Sequence, residues 1–179
     1  IIPEGVENIG KYAFQRCGGL DYIFIPSTIT NIGDYAFYYA ELINVYYAGK
    51  AEGWNEIDIG VYNTNLIYAT KFYNCIASLN GLIYSRNIEN NNLAVIKYVG
   101  AENELEIPSS IDGYNIVEIS ERAFSGCTNL VKINVSEGVM KIGSSSFEGC
   151  SNLLTIHLPI SIEYIDSHAF RNCNALKNV

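Results

Sequence analysis

A repeat with a period of 23 residues constrains this chain more than any other feature, because a fixed period of that size builds an array of stacked units rather than one layered core. The stretch IGKYAFQRC at 9–17 returns 23 residues later as IGDYAFYYA, and AFSGC and AFRNC follow near the other end. Aligned on phenylalanine, the units are IPEGVENIGKYAFQRCGGLDYIF, IPSTITNIGDYAFYYAELINVYY, IPSSIDGYNIVEISERAFSGCTNLVKIN, VSEGVMKIGSSSFEGCSNLLTIH and LPISIEYIDSHAFRNCNALKNV. The third carries extra residues around Asp112 and Gly113, and the second is one residue short before Leu42. Apolar positions stay in register throughout. Val6, Ile29, Ile116, Val139 and Ile162 form one column, followed by Ile9, Ile32, Ile119, Ile142 and Ile165, then Phe14, Phe37, Phe124, Phe147 and Phe170. Leu20, Leu42, Leu130, Leu153 and Leu176 form the next, with Ile23, Val45, Ile133, Ile156 and Val179 three residues on.

The spacing L-x-x-I-x-I, as in LDYIFI, alternates apolar and polar residues with period two, the mark of a half-buried strand. Prolines such as Pro26 and Pro159 end it. One strand in about 23 residues leaves no room for a long helix, so neighbouring units stack their strands in parallel about 4.8 Å apart. The expected fold is a mainly β repeat solenoid with one parallel strand per repeat and short turns. Stacking sets like columns side by side, so a phenylalanine ladder fills the core and the small residue before each ring lets the backbone turn closely over it.

The pattern I-P-x-x-V-x-x-I-G-x-x-A-F-x-x-C-x-x-L-x-x-V-x resembles the BspA-like subclass of leucine-rich repeats, found in surface proteins of gut and oral bacteria and in some protists. Five units carry it, over residues 2–47 and 105–179. Ala40 stands in for the cysteine, Ser146 for the alanine before phenylalanine, and Ser120 and Asp166 for the glycine after isoleucine. That glycine, kept in three of five units, points to a turn that favours a positive φ. Cys127, Cys150 and Cys173 form a ladder read as small buried hydrophobes. Zinc sites need clustered pairs, and five cysteines cannot all pair within the chain.

Residues 48–106 fit no unit. YYAGKAEGWNEIDIGVYNTNLIYATKFYN resembles the segment that closes arrays in this family, which makes Trp54 a cap residue covering the last rung. Beyond it, GLIYSRNI and LAVIKYVG flank Glu89-Asn90-Asn91-Asn92, a turn cluster between two strand-like runs that reads as a β-hairpin. The expected organisation is residues 1–74 as a first leucine-rich-repeat array with its closing cap, and 75–179 as a β-hairpin followed by a second array. The chain opens in mid-repeat at IIPEGV and breaks off in mid-repeat at ALKNV, so it reads as a piece of something longer.

A formal charge of −8 opposes nucleic-acid binding and anionic lipid surfaces, which rest on clustered Lys and Arg. No apolar run approaches the roughly 20 residues that span a bilayer, so membrane insertion of this segment is not expected. Only His157 and His168 are bases for neutral pH, and Asp166-Ser167-His168, being sequence neighbours, point apart rather than converging as a catalytic triad does. Glu102, Glu104 and Glu106 alternate along a strand and read as its solvated face. No phosphate loop or dinucleotide fingerprint is present. An enzyme is not expected, nor a cofactor or a metal.

What remains is a surface. The alternate strand residues expected to face outward, and hence the candidate ligand contacts, are Tyr22 and Phe24, Asn44 and Tyr46, Lys132 and Asn134, Thr155 and His157. Exposed aromatics in the first array mark recognition, since Tyr and Phe give large contact area at low entropic cost. Tyr12, Tyr35 and Tyr38 also fall outside the core columns. The resemblance implies an extracellular or cell-surface, adhesin-like recognition module for a protein or glycan ligand on a host or neighbouring cell, since related proteins are described as adhesins for fibronectin and fibrinogen or for other bacteria. The competing readings are a structural spacer that presents another domain and a glycan-binding module.

Overall fold

The computed structural model describes residues 1–78 and 80–179 and divides them into two compact units, Ile1–Cys75 and Ile76–Val179. In the first, the expected strands β2 (Tyr22–Ile25) and β4 (Asn44–Tyr47) pair in parallel, with Ile23 opposite Val45. Each repeat also contributes a second, two-residue strand at its N-I step: β1 (Asn8–Ile9) pairs with β3 (Asn31–Ile32). The cap segment continues both ladders. It carries α1 (Ala51–Asn55), β5 (Asp58–Ile59), α2 (Thr64–Tyr68) and β6 (Thr70–Phe72), with Ile59 opposite Ile32 and Lys71 opposite Val45. The cap is thus a further rung in which short helices replace the usual turns. Trp54 is buried on α1, with Tyr47 edge-on at 5.5 Å.

In the second unit, β7 (Cys75–Ala77) begins on the last residue of the first unit and leads into the hairpin of β8 (Leu82–Arg86) and β9 (Leu93–Tyr98). One parallel ladder joins β10 (Glu104–Ile107), β13 (Lys132–Val135) and β15 (Thr155–His157). The other runs from β9 through β12 (Tyr114–Ile119) and β14 (Lys141–Ile142) to β16 (Tyr164–Ile165). The extra residues of the third repeat form a tight hairpin, β11 (Ser110–Ile111) against the start of β12. Asp112 and Gly113 at its tip take φ of 51° and 80°, both central positions of a primed turn.

The phenylalanine columns are stacked ladders. Phe14 lies 5.1 Å from Phe37, while Phe124, Phe147 and Phe170 follow one another at 4.9 and 5.2 Å. Tyr98, on the hairpin strand, heads the second ladder at 5.5 Å from Phe124. Ile165 and Val179 lie in core columns yet are exposed, because they belong to the last rung and have a stacked neighbour on one side only. Two thiols serve the turns as well as the core: Cys150 donates to the Phe124 carbonyl at 3.1 Å and Cys173 to the Phe147 carbonyl at 3.0 Å. All five cysteines are free; Cys75 and Cys150 are buried, whereas Cys17, Cys127 and Cys173 are only partly covered.

Around each phenylalanine the backbone bonds alternately within and between rungs. The N–H groups of Tyr12, Phe14 and Arg16 donate to Asp34, Ala36 and Tyr38 of the next rung, while those of Ala13, Gln15 and Cys17 reach three residues back. This alternation places the second residue before each phenylalanine in the left-handed region: Tyr12, Tyr35, Arg122, Ser145 and His168 all have φ between 52° and 64°. The expected preference is corrected here, since the glycine after isoleucine does not take a positive φ in any of the three units that keep it. Its reason is close approach, since a Cβ on Gly33 would meet the Lys11 nitrogen at 2.6 Å and one on Gly143 the Glu121 nitrogen at 2.7 Å.

Candidate recognition surface

The strand-face candidates behave differently in the two units. In the first, Tyr22 and Asn44 are opposite one another and half-buried, but Phe24 and Tyr46 are 5% and 3% exposed. The expectation of an exposed aromatic strand face is therefore corrected. The rung formed by β6 sets Phe72 opposite Tyr46, and the two rings stack at 5.1 Å, with Tyr22 edge-on to Tyr46 at 6.4 Å. Burial pushes the Tyr46 phenol well above its ordinary value, so the ring is a neutral packing element. In the second unit the corresponding face is polar. Lys132 lies opposite Thr155 and Asn134 opposite His157; Lys132, Asn134 and Thr155 are half-buried and His157 is exposed. The Asn134 Oδ1 and His157 Nδ1 atoms are 2.8 Å apart. Glu104 and Glu106 extend this face as exposed residues, and Ser136 Oγ donates to Glu106 at 3.1 Å.

Apart from Tyr68 on α2, the most exposed aromatics of the first unit lie instead along its turn edge. Tyr12 and Tyr35 occupy the left-handed position of successive rungs, and Tyr62 occupies it in the cap, with a φ of 63°. Their rings form a column, 5.3 Å from Tyr12 to Tyr35 and 4.3 Å from Tyr35 to Tyr62. Tyr38 packs edge-on to Tyr35 at 5.4 Å and against Tyr39 at 4.2 Å. Tyr12, Tyr62 and Tyr39 remain 48%, 56% and 59% exposed. Lys11 stands over the Tyr12 and Tyr35 rings at 5.1 and 5.9 Å and within 4.0 Å of Asp34, and Arg16 stands over Tyr39 at 6.0 Å. Loss of water and a hydrogen bond with Tyr62 raise the Tyr35 phenol above its ordinary value, and a hydrogen bond with Tyr39 raises that of Tyr38. The edge thus presents neutral phenols beside two cations.

The cap holds this edge in place through one side chain. Asn63, fully buried, accepts from the Phe37 N–H at 2.9 Å and donates to the carbonyls of Gly33 and Gly60 at 3.0 and 2.9 Å. In the rung before, Phe14 donates to the Ala36 carbonyl of the next repeat; Asn63 Oδ1 supplies that acceptor where the regular array stops. Tyr39 and Tyr62 escaped the sequence reading, although a signal was there: IGKY, IGDY and IGVY repeat the same step, the last inside the segment assigned no unit. Among the described residues no cluster of His, Cys, Asp and Glu is suited to a metal ion, and no helix is long and apolar enough to cross a membrane.

Stacked parallel rungs with a repeated I-G-x-x-A-F turn define a leucine-rich-repeat solenoid. A model of the BspA type leucine rich repeat region matches residues 1–111 and 102–179 in six copies, and the chain belongs to that family. Among solved structures it is similar to a leucine rich repeat protein of T. pallidum, at 32% identity over 57% of this chain and 49% of that one, with a TM-score of 0.55. A leucine-rich repeat protein from Bacteroides capillosus shares 25% identity over 57% of this chain and 78% of that one, with a TM-score of 0.53. This chain therefore matches about half the length of the first of these proteins. A leucine rich cell surface protein from Faecalibacterium prausnitzii is 21% identical over 99% of this chain and 57% of that one, with a TM-score of 0.46. No curated protein matches the chain.

Proposed function

We propose that this chain is a non-catalytic recognition module of a cell-surface or secreted protein, and that it engages a protein ligand through the tyrosine edge of its first unit. One observation carries the reading. The second unit fills the same left-handed backbone position with Arg122, Ser145 and His168, so the turn tolerates unrelated side chains and the fold does not require rings there. Three tyrosines in that column, joined by Tyr38 and Tyr39, are a choice that stability does not account for. A left-handed conformation is unfavourable for a bulky residue, which adds to the case. Rings held by stacking and by Lys11 and Arg16 are preorganised, and contact energy concentrates in such aromatic anchors. The accessible strand-face residues Tyr22, Asn44, Lys132, Asn134, Thr155 and His157 supply polar contacts in this reading, whereas Phe24 and Tyr46 serve packing.

The test is a binding screen of the chain against matrix proteins, fibronectin and fibrinogen included, and against a glycan array. It is run beside a Tyr12→Ser, Tyr35→Ser, Tyr62→Ser variant, serine being the residue at position 145 of the second unit. Removal of one true anchor costs about 2 kcal/mol, so the variant should bind its protein ligand at least about 30-fold more weakly while staying folded, with only the small drop in melting temperature that the lost ring contacts bring. A wild type that binds nothing in either screen supports the spacer reading. Binding to glycans alone supports the glycan-binding one.

A further inference from the structure

A cleft of about 450 Å³ lies in the second unit, beneath the tip of the β8–β9 hairpin and against β12. It falls within the roughly 300–1,000 Å³ of small-molecule sites. It forms where the sheet slips: Ile116 is opposite Leu93 but Glu118 is opposite Ala94, which leaves Val117 as an extra, bulged residue in the cleft wall. Bulges of this kind commonly re-aim side chains beside a site.

The chemistry of the wall is specific. Arg86 is its cation, and among the described residues no carboxylate lies within ion-pair distance of it. Its guanidinium is held face-on at 4.2 Å from the Tyr114 ring, and Nη2 donates to Asn91 Oδ1 at 2.7 Å. Its Nε–H is closed off from water and has no acceptor, an uncommon state for a guanidinium donor. The one carboxylate in the wall, Glu118, is already paired with Lys141 at 3.3 Å, so Arg86 is the charge left to answer. Asn90, Asn92 and Ser120 add neutral hydrogen-bonding groups, and the half-buried Ile96 and Val117 add an apolar patch.

We propose that this cleft binds a small acidic sugar, a hexuronic acid or its close analogue, with the sugar carboxylate taken by Arg86. A planar guanidinium matches a carboxylate through two parallel hydrogen bonds, and Nε together with Nη2 forms one such edge. To present that edge the guanidinium turns from Tyr114 and Asn91 towards the cleft, and the carboxylate replaces the Asn91 acceptor and supplies the one that Nε lacks. Amides and hydroxyls suit the ring hydroxyls, and the patch of Ile96 and Val117 suits the C–H face of a sugar ring. The cleft lies in the second unit and its occupancy does not depend on the tyrosine edge.

The experiment is a titration of the full 179-residue chain, followed residue by residue through its backbone amide resonances. Glucuronate and galacturonate are the probes, with glucose as the neutral ring and acetate as the carboxylate without a ring. The expected result is saturable shifts for the two sugar acids, confined to residues 85–94 and 117–120, with glucose and acetate much weaker. Arg86→Lys keeps the charge and loses the paired edge, so affinity should fall about 10-fold or more. Ala94→Phe, which fills the cleft, should abolish the shifts. The proposal is overturned by the absence of saturable shifts at millimolar sugar acid, by shifts centred elsewhere, by acetate matching glucuronate, or by Arg86→Lys binding like the parent. Should either variant fail to fold, the four wild-type titrations decide the matter alone.

Discussion

Replacing Asn63 by alanine removes the side chain that ends the first array. Three hydrogen bonds go with it, to the Phe37 N–H and to the carbonyls of Gly33 and Gly60. The Gly33 carbonyl keeps the Ala36 N–H at 3.2 Å, but the Phe37 N–H and the Gly60 carbonyl lose the partner that Asn63 supplied. An orphaned buried group costs about 1–3 kcal/mol, so the expected loss is about 2–5 kcal/mol, less where a water enters the space left behind. A 75-residue unit has a total stability of roughly 4–11 kcal/mol, which makes this a large share of it. Trp54, the single tryptophan and a buried residue of the same cap, reports the transition by fluorescence in a urea titration. Asn63→Asp sharpens the test. Its carboxyl would face two carbonyl oxygens in a buried site, which raises its folded pKa above the unfolded value of about 3.9. The neutral form, able to donate to one carbonyl, supports the fold below about pH 4, and that support is lost as pH rises through the raised value. At pH 7 the Asp variant should therefore be less stable than the Ala variant, and it should recover towards pH 4. A loss below about 1 kcal/mol for Asn63→Ala, or an Asp variant at pH 7 as stable as the Ala one, would refute the capping argument.

Phe147→Ala, in the middle of the second ladder between Phe124 and Phe170, should cost about 3–5 kcal/mol and make the second unit protease-sensitive; unchanged denaturant stability would mean that the ring carries little of the packing. Burial pushes the Cys75 and Cys150 thiols up to about 12, so a thiol reagent at neutral pH should label them only after unfolding, whereas rapid labelling in native buffer would contradict their burial. The sign of the linked effect follows: these thiols stay neutral in the fold and ionise near pH 8.5 once unfolded, so their contribution is intact below about pH 8.5 and declines as pH rises towards 12, measurable as a falling urea midpoint.

The repeat was legible because each unit spends its apolar residues on columns, and a column survives in sequence as a period. Ile32, Phe37, Leu130, Phe147 and Ile156 could be placed in the core without a structure, but of the cysteine ladder expected there only Cys150 is buried, Cys127 and Cys173 being partly covered. The β8–β9 hairpin followed from its asparagine-rich turn between two apolar runs. The second strand of each repeat was harder to see, since two residues pairing with two residues leave no alternation to detect. The rung in the cap was hidden because α1 lengthens the step from β4 to IGVY and α2 replaces the A-F turn after it, although the register with β3 and β4 is kept. The surface was the least readable part. Alternation along a strand says which residues leave the core, but not whether a neighbouring rung covers them. Tyr46 left the core and met Phe72, while Tyr12 and Tyr62, at the same left-handed position of their turns, stayed in solvent with Tyr35 half-covered between them. What the sequence determined by itself was therefore the stack, a local pattern repeated. What only the tertiary structure decided was the exposure of each ring and the partner of each polar group, because both depend on residues brought alongside from the next rung, 22 or more positions away.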